Sequence, residues 1–402
     1  MRFLIITQVF YPDTVSVSQH ITDIALKLVE EGHSVKVLSS RYPYEEKTNI
    51  YKSKESFNGV EIERLYQSSF GKSNFLGRLL DFFTFYCAIT YKLFFLKQNT
   101  YDIVLGTTVP PLLSFIGVII SKWKKIKFVY WVMDLQPELS ISSGLIKKGS
   151  LAASVFTVIG NYIIKNSNKI ISLDHFMTNY LQSRGAKNDI STIPVWPVLD
   201  QIYQGDRMSN PFRVENSFGE KMVIMYSGNH AFVHPLDTLL QSALQLKNNS
   251  NFLFVFVGGG VRKKDVTEFK NKYKLDNIIQ LPFQPRENIH NSLGSSDIQV
   301  VILGEGQVGY THPNKVYGAL YIGKPILYIG PPKSHVGDII DELSSNIFVE
   351  HGEVDKLVNE LNKIGNLKID VLEKIGSKNR DFAVLNFHPE VLKNKMVKAL
   401  VS

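Results

Sequence analysis

Short apolar runs rich in Ile, Val and Phe recur along this chain, separated by longer segments with helical spacing. That alternation constrains the fold more than anything else in the sequence. In the first half the runs are RFLIIT (2–7), SVKVLSS (34–40), YDIVLGTT (101–108), KFVYWVM (127–133), KIISL (169–173) and ISTIPV (190–195). Among the segments between them, SVSQHITDIALKLVEEG (16–32) places Ile21, Ile24, Ala25, Leu28 and Val29 at helical spacing, and Gly32 stops it. Runs that are apolar throughout belong to strands buried on both faces. The alternation therefore predicts parallel sheets covered by helices.

The rhythm restarts at KMVIMYSGN (221–229) and continues through NFLFVFVGGG (251–260), NIIQLPF (277–283), DIQVVIL (297–303), KPILYIG (324–330) and NIFVE (346–350). The polar stretch DQIYQGDRMSNPFRVENSFGE (200–220) reads as a linker. A chain of 402 residues suits two domains. The expectation is two doubly wound, Rossmann-like α/β domains: an acceptor-side domain over 1–197 and a second over 221–383, joined by a linker over 198–220. A C-terminal segment, 384–402, carries an amphipathic helix over about 388–401. Open α/β sheets bind ligands beyond the carboxyl ends of their strands, so two such domains facing each other should enclose a cleft.

Composition narrows the partners. The net charge is +8, which suits nucleic acid, anionic lipid or a phosphorylated small molecule. No Arg/Lys-rich block with interleaved aromatics appears, which argues against nucleic acid. The single cysteine, Cys87, allows no disulfide within the chain and fits a reducing cytoplasm. The start, MRFLIITQVF, lacks the pattern of a signal peptide. The most apolar stretch, 75–97, is broken by Arg78, Asp81 and Lys92, so it should not span a membrane. With the cations of SKWKKIKF (121–128), it can instead form an amphipathic surface for an anionic inner membrane, or core helices of the first domain.

The candidate site residues follow strands. YSGNHAFVHPLDTLL (226–240) is a strand, a turn at Gly228 and a helix, with Asn229, His230 and His234 beside the turn. Such a turn accommodates a diphosphate, or it is a plain strand-to-helix connection. In FVFVGGGVRKK (254–264), Gly258 and Gly259 leave room, and Arg262, Lys263 and Lys264 bring charge or a solvated basic face. The third glycine of a dinucleotide fingerprint is missing, which argues against NAD. In GEGQVGYTHPNKVYGALYIG (304–323), Pro313 and Asn314 stand near a helix start, and Lys315 falls in its first turn. A cation there opposes the helix dipole, which makes sense if an anion binds, though a solvated lysine is equally compatible. His312 and Tyr317 flank Lys315; Tyr317 also fits a core position. In WVMDLQPELSISSG (131–144), Asp134 and Glu138 are four apart, and Asp134 can hold a sugar hydroxyl, act as a base or cap a turn. Ser16 and Ser18, after the polar loop QVFYPDTVSVSQH (8–20), stand at a helix start where capping is the simplest role. No Asp-x-Asp, His-Glu-x-x-His, Cys-x-x-Cys, Walker lysine loop or Gly-x-Ser-x-Gly occurs. That leaves a reaction of a phosphate-bearing substrate without a metal.

Taken together, TQVFYPDTVSVSQ…EEGHSVKVLSS, DLQPE (134–138), the YSGN and FVGGG turns, LPFQPRENI and the P-x-K-x-Y-G helix appear in the order of a known family. Over nearly its whole length the chain resembles retaining glycosyltransferases of the GT-B fold, the glycosyltransferase family 4-like group. Within that group it is most similar to the branch serving bacterial surface polysaccharides such as O-antigen, capsule and colanic acid.

The resemblance implies a nucleotide-sugar donor, UDP- or GDP-linked, held mainly by the second domain, with no further cofactor and no metal. Its diphosphate would rest on the Gly228 turn and the helix near Pro313, within reach of Asn229, His234, His312, Asn314, Lys315 and Tyr317. Its base would lie near Gly258, Gly259 and the backbone of Pro282, Phe283 and Gln284. The acceptor, an undecaprenyl-pyrophosphate-linked saccharide, would approach the first domain at Ser16, Ser18, Asp134 and Glu138. Asp134 and Lys315 would be the catalytic pair. The sequence departs from the family at three places. The family's diphosphate-binding Arg and Lys fall at Asn229 and His234. The two glutamates of its Glu-x7-Glu motif fall near Tyr310 and at Gly318, and a catalytic-loop histidine falls at Met133. Lys315, helped by Arg262, would then supply the positive charge. A sugar-nucleotide 2-epimerase of the same architecture and a non-catalytic sugar-nucleotide-binding protein are the alternatives.

Overall fold

A computed structural model describes residues 1–43, 50–70, 75–187, 189–199 and 201–402. The chain divides into two compact units. The first comprises Met1–Pro194, Gly309–His312 and Glu390–Ser402; the second comprises Val195–Val308 and Pro313–Pro389. Sequence alone runs the second domain continuously through 309–312 and leaves the C-terminal helix separate. In the structure both segments group with the first unit. That helix, Pro389–Val401, tucks Leu392, Met396, Val397 and Leu400 away from solvent.

The first unit holds eight strands: β1 (Arg2–Ile6), β2 (Ser34–Ser40), β3 (Lys54–Phe57), β4 (Val60–Leu65), β5 (Ile103–Gly106), β6 (Lys127–Trp131), β7 (Lys169–Ser172) and β8 (Asp189–Thr192). Their order is β3-β4-β2-β1-β5-β6-β7-β8, parallel except for the β3–β4 hairpin. The hairpin is absent from the sequence reading. Its turn is Asn58-Gly59, both at positive φ (47° and 84°), and Asn-Gly is the strongest short hairpin signal.

The second unit holds β9 (Met222–Ser227), β10 (Phe252–Val257), β11 (Ile278–Leu281), β12 (Ile298–Ile302), β13 (Ile326–Ile329) and β14 (Ile347–Val349), all parallel, in the order β11-β10-β9-β12-β13-β14. Its central strands are buried on both faces. In β9, Ile224 and Tyr226 join one apolar cluster with Phe254, Phe256 and Ile302, while Val223 and Met225 join another with Leu253, Val255 and Phe212. The period-two alternation of a strand thus feeds two cores, which is why MVIMYS carries no polar face. Strand order reverses between β9 and β12, and the crevice beyond such a reversal is where open sheets bind ligands. The segment after β9 carries Gly228, and the segment after β12 leads to Lys315.

The stretch expected as a linker is fastened to the second unit. Phe212 and Arg213, on the helix Pro211–Glu215, are buried. Arg207 and Arg213 both pair with Asp297, just before β12, at 2.5 Å and 3.3 Å, and the same carboxylate accepts from Val223 N at 2.7 Å. Asp200 lies outside the described residues.

Candidate active site

Two glycine turns at the carboxyl ends of β9 and β10 lock together. Gly228 and Gly258 sit at φ 131° and 130°, where a Cβ is strained. Each hydrogen-bonds to the neighbouring strand, Gly228 N to Val257 O and Gly258 N to Leu281 O, both at 2.9 Å. A Cβ on Gly258 would stand 2.2 Å from Gly228 O, so the close approach of the two turns itself demands glycine. His230 spans them, its backbone N–H donating to Gly259 O at 2.7 Å and its Nδ1 lying 3.0 Å from the same oxygen.

Lys315 opens the helix Lys315–Tyr321 and reaches back over this floor. Its Nζ lies 3.8 Å from the centre of the Tyr226 ring. A Cβ on Gly228 would meet its Cε and Nζ at 3.5 Å, an ordinary van der Waals contact, so the ammonium lies close against the turn. The ammonium is buried and has no hydrogen-bond partner among the described residues. Burial pushes its pKa down to about 7. The ring of Tyr226 offers a cation–π contact, and its hydroxyl is occupied by Asn229 O at 2.8 Å.

Two histidines adjoin the lysine. Burial, with a further push from the Lys315 charge, drives His230 down to about 4 and His234 well below its ordinary value. Both are therefore neutral at physiological pH. His230 Nε2 and His234 Nδ1 are buried and lack partners among the described residues. Three unpartnered polar nitrogens around one turn are costly in a folded core unless something binds them. The buried ammonium is the group that fits an anion rich in oxygen acceptors; His230, neutral with its Nδ1 proton aimed at Gly259 O, leaves Nε2 as an acceptor. The helix itself is only seven residues long, so the anion argument rests on the buried ammonium rather than on a helix dipole.

Other expected donor-side residues fall into different surroundings. Arg262 is engaged by carboxylates, its Nε at 2.7 Å from Asp265 and its guanidinium at 3.1 Å from Asp237. The helix after the Gly228 turn begins only at Asp237, well beyond His230 and His234. Tyr317 is buried, its hydroxyl 3.0 Å from His335 Nε2 and its ring packed on Phe387. Phe283 covers Gly258 and Gly259. Gln284 is held by Pro282 O and by Asn288, both at 3.1 Å. Asn314 is the residue preceding the Lys315 helix.

The first unit carries a second cluster. Asp134 follows β6, and burial raises its carboxyl to about 6, partly offset by His312. His312, expected beside the donor, belongs to this unit: its Nδ1 lies 2.6 Å from Asp174 Oδ2. The preceding Tyr310 accepts from Leu135 N at 2.9 Å. Glu138 is committed to Arg184 and to the Tyr180 hydroxyl, the latter at 2.7 Å. Neither expected serine caps its helix: Ser16 is the first residue, the preceding Val15 offers no side-chain cap, and the buried Ser18 hydroxyl has no partner among the described residues. Sequence reading missed Asp174 altogether and passed over Tyr226 as a strand residue. The Asp-His pair that opens the helix after β7 was the available signal for Asp174; nothing local marks Tyr226. Among the described residues no group of three or more His, Cys, Asp or Glu stands together to hold a metal ion.

Comparisons with known proteins bear on the fold and the family. Residues 209–382 match the family described as Glycosyl transferases group 1. A curated relative, the probable glycosyltransferase WbjE of Pseudomonas aeruginosa, is 24% identical over 242 residues. That match spans 60% of this chain and 60% of the relative's length. Among solved structures, sucrose-phosphate synthase from Thermosynechococcus elongatus superposes with a TM-score of 0.77 at 12% identity, over 99% of this chain and 98% of that one. WaaG, a glycosyltransferase involved in lipopolysaccharide biosynthesis, gives 0.73 at 12% identity over 99% of both chains. Anabaena Alr3699/HepE in complex with UDP-glucose gives 0.70 at 14% identity, over 100% of this chain and 99% of that one. The fold is thus the two-Rossmann GT-B fold of these solved structures, and the match to the group 1 family lies in the second unit, over residues 209–382.

Proposed function

We propose that this protein is a retaining, metal-independent glycosyltransferase of the family 4-like group, acting in bacterial surface-polysaccharide synthesis. It moves a sugar from a nucleotide-sugar donor to a lipid-linked saccharide, of which an undecaprenyl-pyrophosphate-linked chain is the expected form. The observation that carries the reading is the buried, unpartnered Lys315 ammonium on Tyr226 beside the Gly228 turn. UDP is the first donor nucleotide to test, because a structural relative binds UDP and UDP-glucose.

In the reaction the bond between the anomeric carbon and the phosphate oxygen breaks, and its electron pair leaves on the nucleoside diphosphate. The acceptor oxygen bonds to the anomeric carbon on the same face and releases its proton. Lys315 meets the growing charge on the diphosphate. Because its ammonium is already desolvated and fixed, it stabilises that charge without reorganising. Asp134 in the first unit receives the acceptor; a carboxyl with a pKa near 6 can take up a hydroxyl proton at neutral pH.

The lipid-linked acceptor is supported by the surface of the first unit. On the helix Phe75–Phe94, Leu76, Phe83 and Tyr91 are exposed, and Phe94 meets Trp123 of the helix Leu113–Lys124 with ring centres 5.0 Å apart. Lys124 and Lys125 follow directly. No helix among the described residues is long and apolar enough to cross a membrane, so this surface fits peripheral attachment to anionic lipid.

Incubation with UDP-sugars and lipid-linked acceptors, with release of UDP as readout, tests the reading. Lys315→Ala should lower kcat by about 10²–10³-fold, the usual loss for one preorganised donor. Unchanged turnover in that variant would remove Lys315 from the reaction. An epimerised sugar appearing without acceptor would favour the epimerase alternative, and binding without UDP release would favour the non-catalytic one.

A further inference from the structure

The first unit has a strand-order reversal of its own. β2 lies on one side of β1 and β5 on the other, so the crevice of this sheet opens beyond the carboxyl ends of β1 and β5. Gln8 and Thr108 each stand just past one of those two ends. Backbone bonds fix the place: Gln8 N donates to Val109 O at 2.9 Å, and Gln8 O accepts from Ser40 N at 3.0 Å. The residues immediately before them are satisfied locally. Thr7 Oγ1 donates to Val9 O at 3.1 Å, and Thr107 Oγ1 to Val109 O at 3.4 Å. Gln8 and Thr108 differ. They are 6% and 8% exposed, and Gln8 Oε1 and Thr108 Oγ1 are buried with no hydrogen-bond partner among the described residues. The Gln8 side chain is nevertheless held, since its Nε2 donates to Oε1 of the buried Gln67 at 2.9 Å.

A bare amide oxygen and a bare hydroxyl in a folded core cost stability that apolar side chains would not. At the crevice of an open sheet they point to a ligand. An amide oxygen only accepts, so whatever meets it must donate a hydrogen bond. Phosphate and carboxylate oxygens, ionised at neutral pH, do not. A sugar hydroxyl donates to the amide oxygen, and either donates to the threonine hydroxyl or accepts from it. Asp134 follows β6, the strand next to β5, and neighbouring strands lie about 5 Å apart.

We propose that Gln8 and Thr108 form a saccharide subsite that holds the acceptor by hydroxyls that do not react, while the reacting hydroxyl meets Asp134. This rests on the glycosyl-transfer reading, in which the first unit receives the acceptor. Gln67 has the positioning role, because it fixes the Gln8 amide with the oxygen left free.

Thr108→Val separates binding from a structural role. It removes a hydroxyl that has no partner in the free protein, so the melting temperature should hold or rise. The acceptor KM should rise by about 3–10-fold, the worth of one neutral hydrogen bond, with kcat and UDP affinity within about twofold of native. Thr108→Ser, which keeps the hydroxyl, should keep the native KM. Gln8→Leu should raise the acceptor KM in the same way; should it not fold, the two Thr108 variants still decide. A native acceptor KM in Thr108→Val, or a loss that falls equally on UDP affinity, overturns the proposal. Absence of transfer by the native protein would instead sink the glycosyltransferase reading. The subsite is then judged by NMR of the Gln8 side-chain amide, assigned through Gln8→Leu and titrated with methyl α-glucoside, methyl α-mannoside and N-acetylglucosamine, with pyrophosphate as the anion control. A shift with a sugar and none with pyrophosphate upholds the subsite. No shift with any of the sugars, or a shift with pyrophosphate, ends it.

Discussion

Lys315 is the residue on which the account turns, and its environment makes two opposite demands. Its proton binds less well in the folded chain, near pH 7, than in the unfolded chain, near 10.5. Between those values the unfolded chain holds more protons, so the stability cost of Lys315 is greatest below pH 7 and disappears as pH rises towards 10.5. Lys315→Met should therefore raise thermal stability at neutral pH, by on the order of 1 kcal/mol, while lowering turnover. Calorimetric melts alongside UDP-release assays check both signs; a lower melting temperature would mean that the ammonium has a stabilising partner. An anion favours the charged lysine, so UDP affinity should be flat below pH 7 and weaken above it, by up to about tenfold per pH unit. His230 and His234 are already neutral there and add no slope. Isothermal titration from pH 6 to 9 gives the profile. The sequence already put Lys315 at a helix start, where a cation reads as waiting for an anion, and the resemblance put Asn229 and His234 where the family 4-like group carries Arg and Lys. The depressed pKa was not legible, because it comes from the burial of one ammonium in the folded unit. Nor could spacing show that Arg262 is consumed by Asp237 and Asp265, or that His312 pairs with Asp174, far away in sequence.

At the level of elements, the glycine turns and the Asp297 clamp hold the second unit's site in place. Gly258→Ala forces a Cβ against Gly228 O at a strained φ, and should cost about 1–3 kcal/mol together with UDP binding. Denaturant melts and titration measure the two losses; full affinity in a folded Gly258→Ala would show that the turn need not be this close. Asp297→Ala would leave Arg213 buried beside a missing carboxylate and should cost about 3–5 kcal/mol. The strands themselves were readable. Each run taken as a strand from its apolar composition contains one, since burial on both faces leaves an unbroken signal. Exceptions arose in the hairpin, where charge breaks the apolar run: the edge strand β3 carries Lys54 and Glu55, β4 carries Glu61, Glu63 and Arg64, and only Asn58-Gly59 betrays them. The linker reading passed over Phe212 and Arg213, whose burial follows from partners brought by β9 and β12 rather than from local sequence.

For the molecule as a whole, a net charge of +8 and an aromatic, cation-edged surface on the first unit predict salt-sensitive membrane binding. The protein should sediment with anionic vesicles at low salt and be released at high salt, and the double change Phe83→Ser, Trp123→Ser should weaken binding without altering UDP affinity. No sedimentation at low salt would end the peripheral assignment. The central claim is that a buried ammonium waits for a diphosphate, and nitrogen-15 NMR titration of Lys315 with and without UDP tests it most directly. The account predicts a pKa near 7 in the free protein that rises sharply on saturation with UDP. A free-protein value near 10.5, or one indifferent to UDP, would contradict it.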